Sequence, residues 1–129
     1  MRPEIVSWFK QAREDLSTAE VNFVGKKYYA AVFFCQQAME KGMKAIVLAR
    51  SKNPMNEAMT SHSLIFIGKE AKIPAEFHTF LRQLSPHYVV SRYPEAGREI
   101  PSELYDENIA GDFLKKSKEV MTWIEKQFK

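Results

Sequence analysis

Apolar residues recur every three or four positions over the first quarter of the chain. Ile5, Phe9, Ala12, Leu16, Ala19 and Phe23 follow one another at spacings of four, three, four, three and four. Trp8 lies beside that stripe, whereas Lys10, Arg13, Glu14, Asp15 and Glu20 lie off it. The period predicts an amphipathic helix. Pro3 suits its first turn, and Gly25-Lys26-Lys27 marks a short connection after it. The next segment opens on the apolar octet Tyr28 to Cys35, which periodicity alone fits equally to a buried strand. Its continuation decides for helix. Gln36 to Leu48 is rich in strong helix formers, and positions 35, 38, 39, 42, 43 and 46 keep the 3.6-residue period. A helix from about residue 27 to residue 50, apolar around most of its first turns, belongs at the centre of a bundle. Gly42 inside it costs about 1 kcal/mol relative to Ala and implies close approach of a neighbouring helix.

The six prolines, at positions 3, 54, 74, 86, 94 and 101, leave residues 4–53 and 102–129 free of the strongest helix breaker. Residues 51–60 carry no period and contain Asn53-Pro54, which predicts a mobile loop. Thr60 or Ser61 is placed to cap a short third helix running through Lys72. Ile73-Pro74 separates it from a fourth, marked by Phe77, Phe80, Leu81 and Leu84. Ser85-Pro86 ends or kinks that helix, and Tyr88 to Pro101 reads as irregular. Pro101-Ser102-Glu103 then precedes a last helix with the stripe Ile109, Phe113, Val120, Ile124 and Phe128. The pattern predicts one all-α domain over residues 1–129, an antiparallel up-and-down bundle of four to five helices.

Composition narrows the setting. A chain of 129 residues, 45% apolar, buries roughly two-thirds of its unfolded surface and needs no disulfide or structural metal. The single Cys35, in an apolar octet, is expected to act as a small buried hydrophobe. The uncharged stretch from Tyr28 to Met39 is too short for a membrane span of about twenty residues. The N-terminus lacks the apolar block of a secretory signal, so a cytoplasmic location is expected. The net charge of +3 is too mild to name a ligand. Its placement is uneven, however: Lys26, Lys27, Lys41, Lys44, Arg50 and Lys52 cluster around the central helix. They form either a modest basic face or a solvated one. Nine Phe, two Trp and five Tyr are many large side chains for one bundle, which predicts some aromatic surface at an interface.

Familiar catalytic signatures are absent. The five glycines are isolated, which excludes a phosphate-cradling loop, and no nucleophile elbow occurs. His62, His78 and His87 lack metal-ligand spacing, so neither a metal nor a cofactor is expected.

Three segments stand out. They are Gln37-Ala38-Met39-Glu40-Lys41-Gly42-Met43-Lys44, Thr60-Ser61-His62-Ser63-Leu64, and Tyr88-Val89-Val90-Ser91-Arg92-Tyr93-Pro94. Behind a first helix bearing Trp8, Ala12, Asp15 and Leu16, their combination resembles the HEPN family, small all-α proteins named for nucleotide binding. The resemblance runs from Trp8 to Trp123. It implies a usually homodimeric bundle that partners a minimal nucleotidyltransferase in a two-component, toxin-antitoxin-like module and binds a nucleotide or RNA. Other branches of the family are metal-independent ribonucleases with an Arg, four to six intervening residues and a His. Arg82-Gln83-Leu84-Ser85-Pro86-His87 matches that spacing. It departs from the active pattern in having Gln83 after the Arg, a Ser-Pro break before the His, and Val89 where a regulated branch has Tyr.

The candidate ligand-binding residues are Lys41, Lys44, His62, Tyr88, Arg92 and Tyr93; Arg82 and His87 are the catalytic candidates. Each has a plainer role as well. Arg92 is expected either to stack under Tyr and pair with Glu40 or Asp15, or to face an anionic ligand. His62 fits a helix start that bonds locally, Lys41 and Lys44 fit an exposed helix face, and His78 is expected to face solvent. Three functions stand: a nucleotide- or RNA-binding partner of a nucleotidyltransferase, a ribonuclease using Arg82 and His87, and a non-catalytic oligomeric scaffold.

Overall fold

The computed structural model describes residues 1–51, 53 and 55–129; Lys52 and Pro54, singled out for charge and for a break, lie outside the described residues. Three long helices build the bundle: α1 (Pro3–Val24), α2 (Tyr28–Arg50) and, after seven shorter described elements, the last helix of the chain (Glu107–Lys126). Between them stand α3 (Leu64–Glu70) and α4 (His78–Leu84), then three single-turn helices, α5 (His87–Val90), α6 (Pro94–Gly97) and α7 (Pro101–Leu104). The final helix is therefore α8. The expected bundle of four to five helices is present as α1, α2, α3, α4 and α8.

Side-chain pairs give the directions. Arg2 at the start of α1 donates to the carbonyl of Leu48 near the end of α2, so these two helices are antiparallel. Phe9 packs on Phe128, and Lys118 bonds Glu20 at 2.8 Å, so α1 is antiparallel to α8 as well. It follows that α2 and α8 run the same way, which the long α3–α7 connection permits. They pack tightly at Gly42, where an added Cβ would lie 3.0 Å from Ile124 Cδ1 and 3.7 Å from Ala12 Cβ. Burying Ile124 contributes about 1.5–3 kcal/mol, which outweighs the helix cost of the glycine. The core around α2 holds Met39, Met43, Ile46, Leu64, Ile67, Leu81, Leu84 and Val120, all fully buried.

Local chemistry explains the boundaries. Ser63, and not Thr60 or Ser61, caps α3, its Oγ accepting from Phe66 N at 3.2 Å. Ser61 Oγ is taken by Ser63 N, and Thr60 closes a 3-10 turn over Glu57–Thr60 that Asn56 caps. Ser85 and Pro86 keep right-handed helical backbone, so the chain bends into α5 without unwinding. The segment expected to be irregular instead forms α5 to α7, with Pro94 and Pro101 each starting a turn where no N–H is required. On α8 the expected stripe holds at Phe113, Val120 and Ile124, but Ile109 is exposed and Ala110 takes the buried position.

Two helices end the same way. After α1, Lys26 N bonds Phe23 O and Lys27 N bonds Asn22 O; after α3, Lys72 N bonds Lys69 O and Ile73 N bonds Gly68 O. These are Schellman caps whose left-handed residue is a lysine, with φ 62° at Lys26 and 56° at Lys72. A side chain there is disfavoured. Lys26→Gly and Lys72→Gly should each raise stability by about 0.5–1 kcal/mol, read as an increased urea midpoint at unchanged slope.

Burial pushes the Cys35 thiol up to about 12, which agrees with an unreactive core residue. Among the described residues no helix is long and apolar enough to cross a membrane. Of the sixteen aromatic residues only Phe80, Tyr105 and Phe113 are buried; Tyr29 and Tyr93 are exposed, and the other eleven keep part of their surface in solvent, most of them while packing against the core.

Candidate functional site

One face of α2 carries the site. Phe33, Gln36, Gln37, Glu40, Lys41 and Lys44 recur at helical steps and project to one side. Gln36, Glu40 and Lys44 are buried, and buried charge persists only when paired. Lys44 Nζ donates to Glu40 Oε2 at 2.9 Å, and Gln36 Nε2 donates to Glu40 Oε1 at 3.1 Å. His62, just before α3, completes the set with Nδ1 3.0 and 3.2 Å from the two Glu40 oxygens. Burial works against the Glu40 carboxylate. Hydrogen bonds from Lys44, His62 and Gln36, with the Lys44 charge, outweigh it and hold the carboxyl below its ordinary range. An ionised carboxylate only accepts, so His62 Nδ1 carries the proton and Nε2 is left uncommitted on a side chain that is 51% exposed.

A stack continues outward from His62. Its ring lies parallel to Tyr88, with centroids 4.1 Å apart, and the Arg92 guanidinium carbon lies 4.4 Å from the Tyr88 centroid. The imidazole covers one face of the phenol ring, so the guanidinium takes the other. Phe33 and Tyr93 flank that guanidinium, each at 5.0 Å. Arg92 Nε donates to Tyr88 O at 2.8 Å, and among the described residues no protein group takes the terminal nitrogens. A planar fork pinned on one edge and backed by three rings is pre-set for a bidentate grip on a phosphate or carboxylate.

A second arm runs from the ladder to α1. Lys41 Nζ donates to Asp15 Oδ2 at 2.5 Å and to Gln37 Oε1 at 3.3 Å, and Gln37 Nε2 donates to Gln36 Oε1 at 2.7 Å. Gln11 Nε2 takes the other Asp15 oxygen at 2.9 Å. Trp8 roofs the far end, with Lys44 Nζ 5.6 Å from its ring centroid.

This arrangement corrects several expectations. Lys41 and Lys44 are not free cations on a solvated face: Asp15 neutralises the first and Glu40 the second, which is buried. Arg92 pairs with neither Glu40 nor Asp15, since both are occupied, and rests on aromatic rings instead. His62 reaches across 22 residues to Glu40 instead of bonding locally. His78 turns inward, its Nε2 3.1 Å from Ile73 O. Arg50 is oriented by a hydrogen bond to Ala71 O at 2.7 Å and keeps its charge at an exposed position, as do Lys26 and Lys27. Sequence reasoning passed over Phe33 and Gln36. A Gln, Glu and Lys at four-residue steps in an otherwise apolar helix was the available sign of a buried ladder.

Arg82 and His87 are placed differently. Arg82 is exposed on α4, and among the described residues no ion pair or hydrogen bond orients it. His87 Nδ1 lies 2.5 Å from Tyr105 Oη, and its ring meets Phe113 edge-on at 5.2 Å. Burial lowers its pKa. The unfolded chain, titrating near 6.5, therefore takes up the proton first, so the stability contributed by neutral His87 is full above about pH 6.5 and is lost on acidification below it. Urea midpoints should fall between pH 7 and 5.5, and His87→Phe should flatten that part of the curve; an unchanged slope contradicts the assignment.

Comparison with known proteins follows the same lines. The family model for the HEPN domain matches residues 5–127. TT1696 from Thermus thermophilus superposes with a TM-score of 0.84 at 24% identity, covering 97% of this chain and 98% of that one, a likeness of fold. ST0689, an archaeal HEPN homologue, gives 0.75 at 26% identity over 100% of both chains. Comparison with curated proteins gives no match. The matched span encloses the Glu40 ladder, the His62–Tyr88–Arg92 stack, α2, α8 and α1 from Ile5 onward, and the chain belongs to the HEPN domain family.

Proposed function

We propose that this HEPN chain is a nucleotide- or RNA-binding subunit that receives its ligand's phosphate on Arg92 and works as a homodimer beside a minimal nucleotidyltransferase. One observation carries the phosphate assignment: the Arg92 fork is held by Tyr88 O and three rings while its terminal nitrogens stay open. Pre-organisation of this kind lowers the ordering cost of binding. Family membership and the resemblance stated above support the partner. A charge-assisted hydrogen bond contributes about 1.5–3 kcal/mol, so Arg92→Gln should weaken binding of ATP or a 5′-phosphorylated RNA by roughly ten- to a hundredfold in calorimetric titration. Unchanged affinity contradicts the assignment. Co-expression with a nucleotidyltransferase from a neighbouring gene, followed by co-purification, tests the partner; elution of the HEPN chain alone counts against it.

A second reading, RNA cleavage by Arg82 and His87, draws on one feature. Tyr105 fixes the His87 ring and burial favours its neutral form, which a general base requires. Loss of RNA cleavage on His87→Phe with binding retained would support it.

A further inference from the structure

We infer that the cleft at Trp8 takes the nucleobase of the ligand whose phosphate sits on Arg92, and selects a base bearing an exocyclic amine. The inference rests on the phosphate reading above. The cleft, about 380 Å³, is lined by Glu4, Ser7, Trp8 and Gln11 of α1 and by Lys41 of α2. That volume is in the range of small-molecule sites, and its one large wall is a flat, half-buried indole steadied by Lys44.

The rim offers acceptors. Gln11 has committed its Nε2 to Asp15, which leaves Oε1. Ser7 has committed its hydroxyl hydrogen to Pro3 O at 3.1 Å, which leaves the oxygen lone pairs. Glu4 can only accept, and Arg2 Nε stands off at 3.7 Å. Lys41 is spent on Asp15 and Gln37. One carboxylate on the rim, Glu4, and a lysine already paired with Asp15 disfavour a phosphate here, whereas a flat ring with N–H donors on its edge suits both wall and rim. Adenine, guanine and cytosine carry such an amine; uracil does not.

The cleft and Arg92 lie on one side of α2. Phe33 beneath Arg92 is eight residues from Lys41 at the near rim of the cleft and eleven from Lys44 against the Trp8 ring, about 12 to 16 Å of helical rise, with Gln37 between them. That span joins a base to the outer phosphate of its own triphosphate, or to the next phosphate of an RNA strand. Both sources present the same chemistry.

Trp123→Phe leaves Trp8 as the sole indole and makes its fluorescence the readout. ATP, UTP, adenylate and uridylate RNA tetramers, and inorganic tripolyphosphate are titrated. ATP or the adenylate tetramer should quench Trp8 with at least about tenfold higher affinity than its uridine counterpart, the equivalent of about 1.4 kcal/mol of lost hydrogen bonding. Quenching by the triphosphate assigns a free nucleotide as the source; quenching by the tetramer alone assigns an RNA strand. Tripolyphosphate should compete without quenching. In the same background Glu4→Gln combined with Gln11→Ala, at two exposed positions, should shrink the adenine preference to about twofold, and Trp8→Leu, followed by competition, should abolish it. Equal affinity for adenine and uridine ligands, or Arg92-dependent binding with no quench, overturns the base site and leaves the phosphate site standing. Binding indifferent to both Arg92→Gln and the cleft variants overturns both.

Discussion

Glu40→Ala should destabilise the fold by about 3–5 kcal/mol, because it strands the Lys44 ammonium in a site from which that side chain cannot reach water. The loss also removes the acceptor of Gln36 and His62. Desolvation makes a buried pair costly to break and nearly neutral to replace as a unit. Glu40→Leu with Lys44→Met should therefore recover most of the loss, measured by urea unfolding of both variants. Asp15→Ala makes the contrast: Lys41 is 23% exposed and can turn to solvent, so its loss should be the smaller by at least about 2 kcal/mol. Equal losses at positions 15 and 40 would show that burial of Lys44 is not what makes Glu40 indispensable.

The second large effect is steric. Gly42 faces α8 and α1 at once, and Leu in its place would drive a branched chain into Ile124 and Ala12, for roughly 3 kcal/mol of destabilisation by overpacking. Gly42→Ala is tight only against the movable Cδ1 of Ile124, touches Ala12 at ordinary contact distance and gains helix propensity, so it should fall within about 1 kcal/mol of wild type. Thermal melts of the two variants separate these outcomes; tolerance of Leu would mean that the α2–α8 contact is looser than described.

The long helices were legible because the periods at Ile5–Phe23 and along α2 run uninterrupted by proline, and an apolar stripe fixes which face turns inward. Gly42 announced a close contact for the same reason. Boundaries were less legible where equivalent residues compete. Thr60, Ser61 and Ser63 are all able to cap, and only the 3-10 turn at Glu57–Thr60 selects Ser63. Gly25 marked the end of α1, yet the left-handed residue is Lys26. At the site, the motif segments contained the right residues without their pairing. Lys41 finds Asp15 across 26 positions and His62 finds Glu40 across 22, whereas local rules reach only about four. Lysine is seldom buried, so composition pointed Lys44 outward when the neighbouring turn had already supplied its carboxylate.

Because Arg92 is the open cation of the stack and Arg82 belongs to the alternative, one measurement distinguishes the two directly. Nitrogen–proton spectra of arginine side chains and imidazoles, recorded during titration with ATP or a 5′-phosphorylated RNA, report which groups meet the ligand. The largest shifts should fall on the Arg92 guanidinium and on His62, and should vanish in Arg92→Gln. Shifts centred on Arg82 and His87, with Arg92 undisturbed, would contradict the phosphate site assigned to this HEPN chain.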